Sequence, residues 1–170
     1  VYKPSEFHRQ NANPIGNQTH FIAGDKDGNV FFDSDQSLIR YDIQTQKFSC
    51  LRKSNVYTVA SIKGTIWVGI ADSILTWNPD KNDFDFVTRL ENRNQRATCL
   101  LEDSGGRYWI GTTDGLFRMN DDKSLTCMIM GEDIYDLYED SKYNLWISIR
   151  MNGMYKRDVH CNFTRYRYDP

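Results

Sequence analysis

No stretch of the sequence comes near the roughly 20 consecutive apolar residues that a helix needs to cross a bilayer. An excess of one charge sign is also missing. Against 23 Asp and Glu stand 21 Lys and Arg, a net charge of −2. A chain so balanced has no electrostatic footprint for nucleic acid or for an anionic membrane, and neither is expected as a direct partner. Its four cysteines, at positions 50, 99, 127 and 161, form no CxxC pair, which argues against a zinc or dithiol redox site. Their spacing reads as one small, buried thiol per structural unit, with one disulfide left open for an oxidising compartment. His8, His20 and His160 are too scattered to form a metal site by spacing. There is no serine elbow, phosphate loop or metalloprotease helix, so no cofactor or metal is expected. No window carries apolar residues at i, i+3, i+4 and i+7 over a dozen positions, which excludes a helical repeat.

What the chain does have is a phrase repeated four times. The clearest copy runs from Glu102-Asp103 through Gly105-Gly106-Arg107-Tyr108-Trp109-Ile110-Gly111-Thr112 to Gly115-Leu116-Phe117-Arg118. A second pairs Glu139-Asp140 with Leu145-Trp146-Ile147-Ser148 and Gly153-Met154-Tyr155-Lys156. Weaker copies run from Gly64 to Gly69 and from Asp25 to Phe32. The anchors are Phe31, Trp67, Trp109 and Trp146, and subtraction gives spacings of 36, 42 and 37 residues. Such a period signals a stacked or circular array. At 39% hydrophobic and 14% aromatic, the composition is that of a globular chain with a leaning toward strands.

One copy reads as four short strands. Residues 97–101, 108–112, 116–119 and 125–129 are apolar or aromatic, and turn residues separate them. Four antiparallel strands in about 40 residues make one propeller blade. Gly28, Gly64 and Gly106 each lie three residues before an anchor, where a tight hairpin needs a positive φ. The fourth copy has Tyr143 there, which predicts a turn shifted onto Asn144. Gly69 and Gly111 are expected to let a neighbouring strand approach closely. Trp67, Trp109 and Trp146 read as wedges between blades, and Leu38, Ile74, Leu116 and Met154 as inward-pointing starts of third strands. Asp25-Lys26-Asp27-Gly28-Asn29 has the look of a calcium loop but lacks its spacing, and reads as a hairpin turn. Glu102 and Glu139 recur at one repeat position, which points to bonding with turn amides and not to glycoside hydrolysis.

At these residues the chain resembles the two-component regulator propeller repeat. Residues 97–119 match that pattern almost position for position, and residues 134–158 match well, with Ser148-Ile149 in place of Gly-Thr. The resemblance implies an all-β fold of about four four-stranded antiparallel blades, a segment of a larger, seven-bladed propeller. The expected boundaries are 18–54, 55–95, 96–131 and 132–170, with 1–17 closing a preceding blade. The opening Val1-Tyr2-Lys3-Pro4 reads as the interior of a longer parent chain. By resemblance that parent is a hybrid two-component sensor histidine kinase, dimeric and held in the inner membrane. This segment would then be periplasmic, completed by the rest of the parent propeller, and without catalysis of its own. The ligand implied is an oligosaccharide. The alternative is a propeller that only scaffolds protein contacts.

In such a blade the second-to-third turns share a face with the connectors between blades. That face collects Asp35, Asp72, Thr113, Asp114, Arg150, Met151 and Asn152 from turns, and Arg52, Arg93 and Asn94 from connectors. Their planar hydrogen-bonding groups suit sugar hydroxyls. The Arg150-Met151-Asn152 loop carries an extra residue and is the first choice for contact.

Overall fold

The computed structural model describes residues 18–92 and 94–167. They form four antiparallel four-stranded sheets, each in simple chain order. The first holds β1 (Ile22–Gly24), β2 (Val30–Ser34), β3 (Ser37–Asp42) and β4 (Lys47–Arg52). The second holds β5 (Val56–Ile62), β6 (Thr65–Ile70), β7 (Ser73–Asn78) and β8 (Asp83–Arg89). The third holds β9 (Ala97–Glu102), β10 (Tyr108–Thr112), β11 (Gly115–Met119) and β12 (Leu125–Met130). The fourth holds β13 (Ile134–Glu139), β14 (Leu145–Ile149), β15 (Met154–Arg157) and β16 (Phe163–Tyr166). The innermost strands β1, β5, β9 and β13 stand side by side in that order, as blades of a propeller do.

Each gap between sheets holds one apolar cluster. Phe31 and Leu38 meet Val59, Ile66, Val68 and Trp77 of the second sheet. Trp67 and Ile74 meet Ala97, Ile110, Phe117 and Met119. Trp109 and Leu116 meet Ile134, Leu145 and Ile147. Phe31, Trp67 and Trp109 are therefore inter-blade wedges, and burying each stabilises by about 1.5–3 kcal/mol. Trp146 and Met154 lie on the outward face of the fourth sheet, which no described sheet covers. Trp146 is accordingly half-buried, and Met154 is exposed instead of pointing into a core.

The close-approach glycines behave as the spacing predicts. A Cβ on Gly69 would lie 2.9 Å from the Cβ of Ala97, and one on Gly111 2.7 Å from Ile134 Cγ2. Both neighbours belong to the innermost strand of the next sheet. Gly28, Gly64 and Gly106 take positive φ angles of 85°, 74° and 77°. In the fourth sheet the turn does not shift. Tyr143 itself adopts φ 62°, because Asn144 is engaged by Asp140 and the Tyr143 ring has open solvent.

Those turns are built on aspartate. Asp103 accepts hydrogen bonds from the amides of Gly105 and Arg107, each at 3.0 Å, and from the Trp109 indole at 2.8 Å. Asp140 repeats this with the Lys142 and Asn144 amides, each at 2.9 Å, and the Trp146 indole at 2.8 Å. Asp25 likewise spends both oxygens on Asp27 and Asn29. The amides of each turn thus go mostly to that turn's own aspartate, and Glu139 does take a turn amide, but one of the preceding blade. Glu139 reaches back to the preceding turn, accepting from Ser104 N at 2.7 Å and Ser104 Oγ at 2.9 Å. Glu102 pairs with Lys63 of the second sheet. The glutamates are inter-blade ties.

The cysteines depart from expectation. Only Cys99 is buried; Cys50, Cys127 and Cys161 are exposed, and all four are free. Cys50 and Cys127 sit on the outer strands β4 and β12, which have no sheet beyond them, and Cys161 sits in a turn.

Two predictions concern stability. Gly111→Ala should cost about 1–3 kcal/mol by overpacking, whereas Gly24→Ala, whose Cβ would meet only Asn29 O at an ordinary 3.7 Å, should stay within about 0.5 kcal/mol; urea midpoints decide. The second concerns acid. The Trp146 and Asn144 hydrogen bonds hold the Asp140 carboxyl well below the usual carboxylate range. Burial alone would raise the Asp103 carboxyl, but bonds from Trp109 and Arg107 outweigh it and hold it low. Depressed carboxyls stabilise the fold above the unfolded-state value of about 3.9 and lose that contribution as pH falls through the folded values. Asp103→Asn should flatten the loss of stability on acidification below about pH 4. An unchanged acid limb would count against this role.

Candidate ligand-recognition face

The second-to-third turns and the connectors meet on one face. Leu90 N donates to Asp72 O at 2.8 Å, Thr113 N to Arg96 O at 3.0 Å, Gly131 N to Asp114 O at 2.9 Å and Arg150 N to Asp133 O at 2.8 Å. The candidate side chains there are mostly engaged with one another's loops. Arg150 Nε lies 2.9 Å from Asp133 Oδ2, and Asn152 Nδ2 lies 2.9 Å from Glu132 Oε2. Asp72 accepts from Ser73 Oγ at 3.0 Å and faces Arg89 at 3.7 Å. Thr113 Oγ1 accepts the Arg96 amide, and the Asp114 amide caps on Thr112 Oγ1. Asp35 accepts from Gln18 N at 3.2 Å. The Asn94 amide donates to Asn92 Oδ1 at 3.0 Å. Arg52 turns toward the second sheet, where Nη2 meets Asp83 Oδ1 at 2.6 Å. Met151 stands fully in solvent at φ 58°. Arg93 lies outside the described residues.

Three residues on this face were not legible as site residues. In β5, β9 and β13 the pairing slips by one residue, between Val56 and Thr58, beside Ala97 and Cys99, and between Ile134 and Asp136. Tyr57, Thr98 and Tyr135 are the extra residues. A bulge frees a side chain from the pleat and re-aims it, which is why bulges gather beside sites. Thr98 turns to the next blade, donating to Ile134 O at 2.6 Å. The two tyrosines rise at the rim. The Arg96 guanidinium lies 5.1 Å from the Tyr57 ring and that of Arg150 5.0 Å from the Tyr135 ring. Both tyrosines directly follow the β-branched residue that opens an innermost strand, the one sequence signal that pairs them.

Between the first and second sheets this face opens into a groove of about 450 Å³, lined by Gln18, His20, Asp33, Asp35, Gln36, Asn55, Val56 and Tyr57. His20 Nδ1 lies 2.9 Å from Asp33 Oδ2. Asp33 Oδ1 accepts from the amides of His20 at 2.7 Å and Phe21 at 2.6 Å. The carboxylate is therefore fixed, and the imidazole faces outward. Nearly every lining side chain presents a neutral or paired hydrogen-bonding group beside one aromatic ring. Among the described residues no three His, Cys, Asp or Glu side chains gather to hold a metal ion. Partial burial would raise the Tyr57 phenol, but hydrogen bonds from Arg96 and Asn55 outweigh it, and its ionisation lies below the usual range. Arg96→Met should move that ionisation to higher pH in a tyrosine titration by ultraviolet difference absorbance. No movement would mean that Arg96 does not govern the phenol.

Comparison with known proteins matches one repeat to a family pattern and the whole arrangement to a known fold. The sequence pattern of the two-component regulator propeller matches residues 93–114. No curated protein sequence matches the chain significantly. Among solved structures, the extracellular domain assigned to a hybrid two-component system of B. thetaiotaomicron superposes with a TM-score of 0.78 at 19% identity, over 94% of this chain and 23% of that one. A second such domain from the same organism gives 0.72 at 20% identity, over 91% and 22%. Virginiamycin B lyase from Staphylococcus aureus gives 0.70 at 15% identity, over 88% and 55%. The chain thus spans about a quarter of the length of those extracellular domains. Residues 93–114 match the two-component regulator propeller repeat, and the described residues form an all-β array of four propeller blades.

Proposed function

We propose that this chain is part of the extracytoplasmic, periplasmic sensing region of a hybrid two-component regulator, and that the connector face binds an oligosaccharide. The parent would be a dimeric sensor histidine kinase, with the rest of its propeller beside these blades. The observation that carries the reading is the groove beside Tyr57. It sets an aromatic ring, raised on a bulge, next to the amides of Asn55 and Gln36 and the fixed His20–Asp33 pair. A pyranose offers one apolar CH face and a rim of hydroxyls, and this pairing of ring with planar hydrogen-bonders suits both. Two extracellular domains of the same fold, each assigned to a hybrid two-component system, support the placement.

A sensor needs differential affinity between two states, and rigid blades with variable loops provide the platform. The groove would serve binding without turnover, since among the described residues its lining presents no nucleophile aligned with a base. A second reading, a surface for protein contact, draws on Met130, Met151, Met154 and Tyr135. All four are exposed at the connector side of the third and fourth sheets.

Isothermal titration of the complete sensor region against a panel of host and plant oligosaccharides tests the first reading. Tyr57→Ala should weaken the best ligand by about tenfold, the worth of one stacking ring. Tyr143→Ala, on the opposite face, should leave binding unchanged. No heat with any oligosaccharide would remove the sugar and leave the protein-contact surface.

A further inference from the structure

The third residue after Leu38, Ile74, Leu116 and Met154 is Tyr41, Trp77, Met119 and Arg157 in turn. In the second and third sheets this position packs onto the wedge of the preceding sheet. Trp77 meets Phe31 with ring centroids 5.3 Å apart, and Met119 shares a buried cluster with Trp67. The fourth sheet places a guanidinium at that position. Arg157 is 3% exposed and lies 5.2 Å from the Trp109 ring. A buried cation in an apolar slot is costly unless it is paired. Arg157 makes no ion pair among the described residues. Its Nε has no partner. Its Nη2 points at one atom, Cys161 Sγ, at 2.8 Å.

Cys161 lies in the β15–β16 turn at φ 69°, exposed to solvent. Asp158 holds that turn through the amides of His160 and Asn162, each at 2.9 Å, so its carboxylate is engaged there and not with Arg157. An exposed sulfur fixed against a positive group is the setting in which cysteines react. Neither independent feature is required by the fold: the repeat places no cation at this position elsewhere, and the turn needs no sulfur.

We propose that Cys161 is the nucleophilic thiol of this chain, oriented by Arg157, and a site of mixed-disulfide formation with low-molecular-weight disulfides. In the step, Cys161 loses its proton to solvent and its sulfur attacks one sulfur of the disulfide. A new S–S bond joins Cys161 to that half. The other half leaves as a thiolate and takes up a proton from solvent, so no separate oxidant is consumed. The other cysteines lack this setting. Burial pushes the Cys99 thiol up to about 12, and burial with the nearby Glu91 charge raises that of Cys127. The site stands on the blade 3–4 seam, on the side opposite the connector face, and is independent of sugar binding.

The test is a time course of iodoacetamide labelling of the folded protein, read by peptide mass spectrometry, with oxidised glutathione as the second probe. Cys161 should label at least about tenfold faster than Cys50 and Cys127, with Cys99 last. In denaturant the four should label alike. Arg157→Met copies the residue that the third sheet uses and should fold, as checked by circular dichroism. It should bring Cys161 within about threefold of the other exposed thiols. Equal rates in the native protein would overturn the proposal whether or not the variant folds. An undiminished preference in folded Arg157→Met would overturn the role of Arg157.

Discussion

The structure depends on one constraint: a sheet with an apolar face must bury it, and among the described residues the cover is the next sheet. Phe31, Trp67 and Trp109 sit where that cover is delivered, at the centre of three successive gaps. Each gap is closed by side chains from both sheets, so no blade has a complete core alone. Stability is then a sum of nearest-neighbour interfaces, as in other repeat arrays. Trp146 shows the same constraint from the other side. It has the same hydrogen bond to an aspartate as Trp109, yet it is only half-buried because no described sheet lies over it.

The indole–carboxylate bond links the two scales of the fold. Asp103 and Asp140 organise a turn through its amides and orient a wedge through the indole N–H. One residue type thereby couples local hairpin geometry to inter-blade packing. Glu102 and Glu139, one position earlier, add ties from turn to turn across the seam. Adjacent carboxylates thus divide the work, one within the blade and one between blades. Both faces of each middle sheet are thus spent on packing and one end on these turns, which is why the proposed binding face is the connector end.

On that end, the loops are stabilised largely by each other. Arg150 and Asn152 are drawn to Asp133 and Glu132, and Thr113 to Arg96. Such bonds tie up the loops of the third and fourth sheets, while the groove between the first two sheets is lined by other residues, Tyr57 and Asp33 among them. Of the two bulged tyrosines, Tyr57 stands at the groove's rim and Tyr135 lies on the fourth sheet, each with an arginine over its ring. Rigid blades and a polar groove with one raised aromatic ring are the frame that the proposed hydroxyl-rich ligand would need, and a sensor would work by favouring one arrangement of its assembly.

By itself the sequence made legible the strands, the blade period, the wedges Trp67 and Trp109 and the two close-approach glycines. Local spacing controls those features: alternation, turn residues and a recurring indole are properties of a few neighbouring positions. It also placed the connector-face loops on one side. What the tertiary structure decided was partnership. Nothing local marks Tyr57, Thr98 and Tyr135 as bulged, because a bulge is a slip between two strands and exists only when both are paired. Nothing local says that Asp103 and not Glu102 takes the turn amides, that Tyr143 accepts φ 62°, or that Cys50 and Cys127 fall on uncovered outer strands. His20 meets Asp33, and Arg157 meets Cys161 and Trp109, only once the chain has folded back on itself. The repeat dictates which positions face a neighbour; three-dimensional packing alone decides which neighbour arrives and which polar group it leaves without a partner.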